Sequence, residues 1–332
     1  MSRIAKLHPY PDGWYVVANS EELQPKKVLT VKFMGEEVVL FRTEQGKLNT
    51  IEAHCPHLGG HFGHGGKVEG EKIRCPFHGF CFDDSGKCIS TPYGFRAPPA
   101  KARTWHSDEK NGFILLYHSQ EGAAPEWQIP EIDFTDWNPL QTAKFKLKSH
   151  PQETSENSVD LGHFTEVHKY SNVEVLEEAI TDGPYLRASY AFDRPGKEFM
   201  MPNKIIRSEF TAHVHGLGFS YVEVAIKQLG LNVKTFVMPT PIDENYIHLN
   251  LALSLKSIEK LSKVHPALVL LPKKIAEMII SKFSFKAYLH DVQQDFKIWE
   301  NKAYIAPPAL ARGDGPVGVY RKWTKQFYPS QN

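Results

Sequence analysis

Cysteine is scarce in this sequence, which has four cysteines among 332 residues. They lack the regular spacing of a disulfide framework, so we expect a reducing compartment and a cytoplasmic protein. An excess of positive or negative charge is also missing, because 39 Lys and Arg residues balance 38 Asp and Glu residues and leave a net charge of +1. Lys and Arg are spread along the chain, so nucleic acid is not an expected partner.

Long hydrophobic runs are missing as well. Residues 1–14 contain no apolar stretch of signal-peptide length. The most apolar segment, residues 267–283, is interrupted by Pro272, Lys273 and Lys274, so it is too short and too charged to span a bilayer. We therefore expect no integral membrane segment.

Two short loops are the most informative feature that is present. Cys55-Pro56-His57 and Cys75-Pro76-Phe77-His78 each supply one thiolate and one imidazole. Two Cys and two His are the ligands of a Rieske [2Fe–2S] cluster, in which two imidazoles replace two thiolates on one iron. That exchange raises the reduction potential from about −400 mV in plant-type ferredoxins to about −150 to +300 mV. The pattern predicts a centre that transfers single electrons.

A structural zinc ion is the alternative occupant, since it also accepts two thiolates and two imidazoles. Zinc fingers usually pair Cys with Cys at one end of the site and His with His at the other. Here each loop holds one of each, which favours the iron–sulfur cluster. The remaining cysteines, Cys81 and Cys88, have no ligand spacing and are expected to be buried structural thiols.

The length predicts about two domains. Residues 8–118 contain short β-rich segments separated by turns, which predicts a small all-β domain that carries both loops. Residues 119–142 are rich in Pro, Glu and Trp and are expected to form a linker. Residues 143–332 begin with a strand, a helical stretch at 152–169 and further strands, and end in a helical half. The predicted class is α+β, with an antiparallel, helix-grip-like second domain that can hold an apolar cavity.

Three stretches carry a resemblance to a known family. Residues 55–80, CPHLGGHFGHGGKVEGEKIRCPFHGF, resemble the cluster signature of Rieske non-heme iron oxygenases. In electron-transport Rieske proteins a further Cys in each loop forms a disulfide, and Gly60 and Phe77 stand at those places here. Residues 11–15 and 314–328 are similar to 3-ketosteroid 9α-hydroxylase oxygenase components. The chain is therefore identified as a member of the oxygenase (alpha) components, in the homotrimeric monooxygenase group.

A second motif, N-x-x-D-x-x-H-x4-H, resembles the part of that family that binds a mononuclear iron; it is formed here by Asn157, Asp160, His163 and His168. The resemblance implies a facial triad on Fe(II), which leaves open positions on the metal. His163 and His168 supply the imidazoles, and Asp295 supplies the carboxylate, with Asp291 as the alternative. A five-residue step turns an ideal helix by about 140°, so we expect a break in the helix near Gly162.

The resemblance gives two further residues separate roles. The residue that matches Asp160 hydrogen-bonds a His of the mononuclear site and, across a subunit boundary, a His of the cluster. This implies that Asp160 carries the electron between chains of a cyclic homotrimer, with its carboxylate also fixing the tautomer of His163 or His168. Asn157 positions the substrate or adjusts the iron. The alternatives are an ordinary supporting carboxylate for Asp160 and a buried structural amide for Asn157.

The implied reaction is O2-dependent hydroxylation of a C–H bond in an apolar, steroid-like substrate. Gly63-x-Gly65-Gly66 and Gly216-x-Gly218 do not complete the nucleotide-binding motif G-x-G-x-x-G, and the plant-type C-x4-C-x2-C cluster motif does not appear. Electrons from NAD(P)H are therefore expected to arrive through a separate reductase, directly or through a ferredoxin. Two alternatives stay open: desaturation or N- or O-dealkylation of a smaller, alkaloid-like substrate by the same iron chemistry, and an electron carrier without mononuclear iron.

Overall fold

The computed structural model describes residues 4–196 and 204–329. It divides into two compact units, of which one contains residues 10–131 and 240–244 and the other contains the remaining described residues. The first unit is built from short strands, and the second combines a seven-stranded sheet with helices. This confirms the predicted α+β class and the order of its parts, while the boundaries at residues 118 and 143 stay a prediction.

The first unit contains three small antiparallel sheets, ordered β1-β10-β9, β2-β3-β4 and β5-β6-β7-β8. Their strands are β1 (Gly13–Asn19), β2 (Val28–Phe33), β3 (Glu36–Arg42), β4 (Leu48–Glu52), β5 (Lys67–Glu69), β6 (Lys72–Arg74), β7 (Cys81–Phe82), β8 (Cys88–Ser90), β9 (Ser107–Lys110) and β10 (Phe113–His118). β2 and β3 are joined by Met34 and Gly35, whose φ angles of 50° and 84° suit the mirror-image turn that a two-residue hairpin requires.

Strand β3 organises the interior of this unit. Its residues 38–41 are completely buried, as expected for the middle strand of a sheet that is covered on both faces. One face packs in the cluster that contains Cys55 and Cys75, and the other packs against β1 and β10. The two ligand loops therefore lie on a hydrophobic core of their own.

The second unit is organised around one antiparallel sheet, ordered β11-β17-β16-β15-β14-β13-β12. Its strands are β11 (Gln141–Lys148), β12 (Ser171–Asp182), β13 (Tyr185–Pro195), β14 (Ile205–His215), β15 (Phe219–Ile226), β16 (Leu231–Pro241) and β17 (Tyr246–Leu255). Strands β12 to β16 each pair with the next strand in sequence, whereas β11 pairs with β17 at the far edge.

The helices of this unit are α1 (Pro151–Ser155), α2 (Leu161–Glu166), α3 (Leu261–Val264), α4 (Lys273–Asn301) and α5 (Val317–Trp323), with short 3₁₀ turns at Glu156–Ser158, Pro266–Leu270 and Thr324–Phe327. α4 packs on the sheet, and the hydroxyl of Tyr288 donates to the carbonyl of Phe236 at 2.7 Å. Within the described residues, no helix has both the length and the apolar character needed to cross a bilayer.

The expected break near Gly162 in the stretch 152–169 is present, two residues before that glycine. Asp160 has an extended backbone (φ −87°, ψ 98°) and its side chain accepts the N–H of His163, so it ends the first turns and starts α2. Gly162 lies inside α2. An N-cap, and not a flexible glycine, therefore interrupts the helix.

Candidate metal centres

The first ligand loop (residues 55–60) and the second ligand loop (residues 75–80) have the same local geometry. In each, the glycine four residues after the cysteine donates its N–H to the carbonyl of that cysteine, Gly59 to Cys55 at 2.9 Å and Gly79 to Cys75 at 3.1 Å. These glycines have φ angles of 73° and 68°, which side chains other than glycine rarely adopt. The sequence pattern C-P-x-x-G thus folds each loop locally.

The loops bring together the four residues that the sequence predicted as cluster ligands. Cys55 and Cys75 are each 2 % exposed, and the ring centroids of His57 and His78 are 4.8 Å apart. The ring of His57 also stacks on Phe80 at 4.1 Å. The loops therefore bring thiol beside thiol and imidazole beside imidazole.

Three features of this group fit an iron–sulfur cluster. Within the described residues, the buried Nδ1 of His78 has no hydrogen-bond partner. Burial raises the pKa of the Cys55 thiol to about 12, so a thiolate there requires a cation beside it. A Cβ atom on Gly60 would lie 2.9 Å from Cys75 Sγ and 2.8 Å from Phe77 Cβ, which leaves room there for glycine alone. Cys81 and Cys88 are buried, as predicted.

The second candidate centre joins the broken helix to α4. His163 lies in α2, His168 follows its end, and Asp295 lies in α4. The two Nε2 atoms are 2.9 Å apart, and the Asp295 oxygens lie 3.7 Å from His163 Nε2 and 3.6 Å from His168 Nε2. The structure thus brings one ligand atom of each residue within 4.8 Å of the others.

The hydrogen bonds on the far sides of the rings decide what this group can hold. His163 Nδ1–H donates to the backbone carbonyl of Asp160 at 2.9 Å, and His168 Nδ1 lies 3.4 Å from Gln294 Oε1. With the protons on Nδ1, both Nε2 atoms present lone pairs toward each other and toward the carboxylate. Lone pairs and a carboxylate that converge on one point fit a divalent cation.

The Asp160 hydrogen bond corrects one expectation. The main-chain carbonyl, and not the carboxylate, accepts the proton of His163 and fixes its tautomer. The carboxylate instead caps α2 through Oδ1, which accepts the backbone N–H of His163 at 3.2 Å. Asp160 therefore orients a predicted ligand with its backbone, while its side chain remains next to the site.

The electrostatics of the second centre also favour a divalent cation. Burial raises the pKa of Asp295 to about 7, and the hydrogen bond from Asn157 partly opposes that rise. Burial also lowers the pKa of His168 to about 4 and lowers that of His163. The protein thus holds neutral imidazoles beside a carboxyl group whose charge is costly unless a cation lies close by.

Asp291, the alternative ligand, is engaged elsewhere. Its carboxylate pairs with the guanidinium of Arg194 and accepts a hydrogen bond from the Tyr170 hydroxyl at 2.9 Å. The Arg194 guanidinium lies 4.9 Å from the centre of the Tyr170 ring, which in turn stacks on His168 at 5.3 Å. Sequence reasoning missed Arg194 and Tyr170. Only the place of Tyr170, two residues after a predicted ligand, could have suggested it.

A cavity of about 190 Å³ lies over this centre. Asn157 belongs to its wall and has its Nδ2 3.4 Å from His163 Nε2. Apolar side chains of the sheet cover much of the rest, including Phe192, Phe210, Val222, Val224, Leu231, Val233 and Leu253. The metal-binding group therefore opens into a mainly apolar space.

Comparisons with known families identify both parts of the chain. Residues 13–99 match the Rieske [2Fe-2S] domain, and residues 116–328 match the 3-ketosteroid 9alpha-hydroxylase C-terminal domain. The chain is 30 % identical to the oxygenase component of 3-ketosteroid-9-alpha-monooxygenase from Rhodococcus rhodochrous, over 95 % of this chain and 80 % of that protein. It is also 30 % identical to cholesterol 7-desaturase from Xenopus laevis, over 97 % of this chain and 73 % of that protein.

Solved structures show the same fold at low identity. NdmA of Pseudomonas putida CBB5 with caffeine has a TM-score of 0.71 at 17 % identity, covering 94 % of this chain and 89 % of that chain. Dicamba monooxygenase bound to dicamba has a TM-score of 0.65 at 19 % identity, covering 96 % and 97 %. Together with the two family matches, these findings show that the chain belongs to the Rieske non-heme iron oxygenases, as an oxygenase component with the catalytic domain of the 3-ketosteroid 9α-hydroxylases.

Proposed function

We propose that this protein hydroxylates a C–H bond of an apolar, steroid-like substrate, with one atom of O2 entering that bond and the other leaving as water. The observation that carries the proposal is the convergence of two unprotonated imidazole nitrogens and one carboxylate beneath an apolar cavity. The names of the relatives, which refer to a 3-ketosteroid and to cholesterol, support the substrate class.

The residues have the following roles in this proposal. Cys55, His57, Cys75 and His78 hold the [2Fe–2S] cluster in a domain of residues 8–118. After a linker of residues 119–142, the catalytic domain of residues 143–332 holds Fe(II) through His163, His168 and Asp295. When bound, the cluster supplies single electrons and the Fe(II) supplies open positions at which O2 and the substrate meet.

The neighbouring side chains prepare the second site. The carbonyl of Asp160 and the amide oxygen of Gln294 keep the protons of the two imidazoles on Nδ1, which directs both lone pairs into the site. Asn157 donates to the Asp295 carboxylate and so favours its charged form. The apolar wall excludes water and holds the substrate by burial of its surface.

Asp160 links the two centres in the proposed assembly. Its carboxylate is fixed at the N-terminus of α2, directly beside His163. We propose that it hydrogen-bonds a cluster histidine of a neighbouring copy, so that a cyclic homotrimer passes electrons between its chains. The Rhodococcus relative is named as the oxygenase component of its monooxygenase, which implies a further component. This supports a separate NAD(P)H-dependent reductase as electron donor, acting directly or through a ferredoxin.

A single-turnover experiment tests the reaction without the unknown reductase. The iron-loaded protein is reduced chemically, mixed with a 3-ketosteroid or a sterol, and exposed to ¹⁸O2. The proposal expects one labelled oxygen atom in the product and about three irons per two labile sulfides in the protein. About two irons per two sulfides, with no product, would instead identify an electron carrier.

The proposed iron site has its own test. Nitric oxide added to the anaerobic ferrous protein is expected to give a paramagnetic signal, which His163→Ala and Asp295→Ala abolish. A signal that persists undiminished in both variants contradicts the site.

Desaturation is the second candidate reaction, because a cholesterol 7-desaturase is among the relatives of similar identity. Both reactions begin with attack on a C–H bond, and the same residues serve both. The mass of the product separates them, since hydroxylation adds one oxygen atom and desaturation removes two hydrogen atoms. Methylated alkaloids are screened last, as substrates for dealkylation.

A further inference from the structure

Residues 260–286, which we call the basic apolar segment, expose large apolar side chains to an unusual degree. Every residue from 269 to 275 is exposed. Leu270 is 86 % exposed and Val269 59 %, and on α4 the exposed fractions are 44 % for Ile275, 49 % for Met278 and 57 % for Phe283. Large contiguous apolar patches are rare on soluble proteins and mark an interaction site.

The charge of the basic apolar segment is one-sided. It contains six lysines, at positions 260, 263, 273, 274, 282 and 286, and a single acidic residue, Glu277. Glu277 is 5 % exposed, and its Oε1 accepts hydrogen bonds from Ser257 Oγ at 2.9 Å and from the N–H of Ile258 at 2.7 Å. The same oxygen lies 3.7 Å from Lys273 Nζ, so this buried carboxylate offsets one of the six lysines. The outer surface of the segment is therefore positive, in a chain whose net charge is only +1.

The inner side of the same segment packs against the residues that form the cavity, and the cavity wall continues from its end along α4. Val264 and Ile280 are buried in the hydrophobic cluster that also contains Leu231, Val233 and Leu253 of the sheet. Ser284, Ala287 and Tyr288 of α4 line the cavity directly. The inward residues fill the core, so packing within the unit does not explain why Leu270 is exposed.

We propose that the basic apolar segment docks on the surface of a phospholipid bilayer that contains anionic headgroups. Exposed apolar side chains of such a segment enter the boundary between headgroups and acyl chains, and lysines pair with phosphates while their methylene stems cover apolar surface. An acidic protein partner would satisfy the lysines, but a bilayer also provides an apolar environment for a leucine that is 86 % exposed. Docking places the cavity wall against the bilayer, which, given the proposed function, lets a membrane-dissolved substrate enter beside the site.

Vesicle co-sedimentation of the metal-loaded full chain tests this inference. Binding is expected to vesicles that mix phosphatidylcholine with phosphatidylglycerol, to weaken as salt is added, and to be weak with phosphatidylcholine alone. Leu270→Asp is expected to reduce partitioning about tenfold or more, because it removes the burial of one leucine. The double variant Lys273→Gln/Lys274→Gln is expected to reduce it about 25-fold, at about fivefold per lysine.

Matched variants outside the segment control for general effects of charge and folding. Ile180→Asp changes an apolar residue of β12 that is 54 % exposed, and Lys144→Gln/Lys148→Gln removes two exposed lysines of β11. Both are expected to bind vesicles like the unchanged protein. Each variant is used only if its cluster absorption and circular dichroism match those of the unchanged protein.

Two outcomes overturn the inference. One is that the mixed vesicles fail to bind the unchanged protein at low salt, or bind Leu270→Asp as tightly as Ile180→Asp. The other is that Leu270→Asp changes the mass of the assembly in solution, which makes the segment an interface between protein chains. The measurement uses no substrate and no turnover, so its failure leaves the proposed oxygenase reaction unaffected.

Discussion

The two candidate metal centres of this protein are built in opposite ways. The proposed cluster ligands lie within residues 55–80, on two loops that each fold through their own glycine and backbone hydrogen bonds. The second centre takes His163 and His168 from a broken helix and Asp295 from α4, so it exists only when that helix packs on the sheet. A site formed within a short stretch of chain can be recognised from the sequence. A site made by packing depends on contacts between distant residues, which no short motif contains.

The largest expected effect is the complete loss of one centre while the other is kept. Asp295→Ala is expected to abolish turnover and remove the mononuclear iron, because a facial triad has no spare protein ligand. Cys75→Ser is expected to lose the cluster, that is, the labile sulfide together with about two of the three irons, and to keep the mononuclear iron. Metal and sulfide analysis of both variants checks this, and the loss of both groups in either variant would show that the centres do not form independently.

Asp160→Asn is expected to break the link between the centres and to leave both intact. Asn still caps α2, and the backbone carbonyl that orients His163 is unchanged. Turnover is expected to fall about 10- to 100-fold or more, since substitutions beside a metal ligand have effects of that size. Cluster absorption and the nitric oxide signal should both persist. Normal turnover in this variant contradicts the proposed electron bridge.

Gly60→Ala tests how tightly the locally encoded centre is packed. The added Cβ would meet Phe77 Cβ at 2.8 Å and Cys75 Sγ at 2.9 Å, so the cysteine must shift and cluster content is expected to fall. Gly70→Ala is the control, because its φ of 61° is strained but nothing lies within 4 Å of the new atom. Labile sulfide per chain is the measurement. Equal sulfide content in the two variants would mean that the close approach is unimportant.

Arg194→Met tests the centre made by packing. The Arg194 and Asp291 side chains are 13 % and 17 % exposed, so the substitution leaves a largely buried carboxylate without its cation. The free energy of unfolding is expected to fall by about 3–5 kcal/mol. Urea unfolding followed by circular dichroism measures it, and the double variant Arg194→Met/Asp291→Asn should recover much of the loss. The cluster spectrum is expected to be unaffected.

The smallest effect concerns His150, which caps α1 just before the broken helix. Its Nδ1 accepts the N–H of Gln152 at 3.1 Å and its Nε2 bonds the carbonyl of His8 at 2.9 Å. Burial lowers the pKa of His150 to about 4, so between about pH 6.5 and 4 the unfolded chain binds a proton that the folded chain does not. Stability should therefore fall as the pH drops through that window.

His150→Asn is the matched variant, since Asn also caps a helix but does not titrate. Its free energy of unfolding is expected to depend less on pH over the same window. Equal slopes in the two proteins would show that His150 is not responsible.

Sequence reasoning predicted what depends on neighbouring residues, the family resemblance supplied the distant Asp295, and the packing contacts around that site were missed. The strands of the first unit follow from β-rich segments separated by turns, as expected. A break near Gly162 was also expected, and an Asp directly before a helical run is the N-cap signal that locates it at Asp160. The partnership of Arg194 with Asp291 joins β13 to α4, and no local pattern indicates it.

The carbonyl of Asp160 that holds the His163 proton is a main-chain atom, and every amino acid carries one. Substitutions at this position can therefore change the side chain that we propose to face a neighbouring copy while the imidazole keeps its orientation, provided that the helix still begins there. In the proposed trimer, substitutions at this position change the rate of electron transfer between subunits and leave the affinity for the metal unchanged. The side chain of one residue then determines the electron-transfer rate, and its main-chain carbonyl supports metal binding.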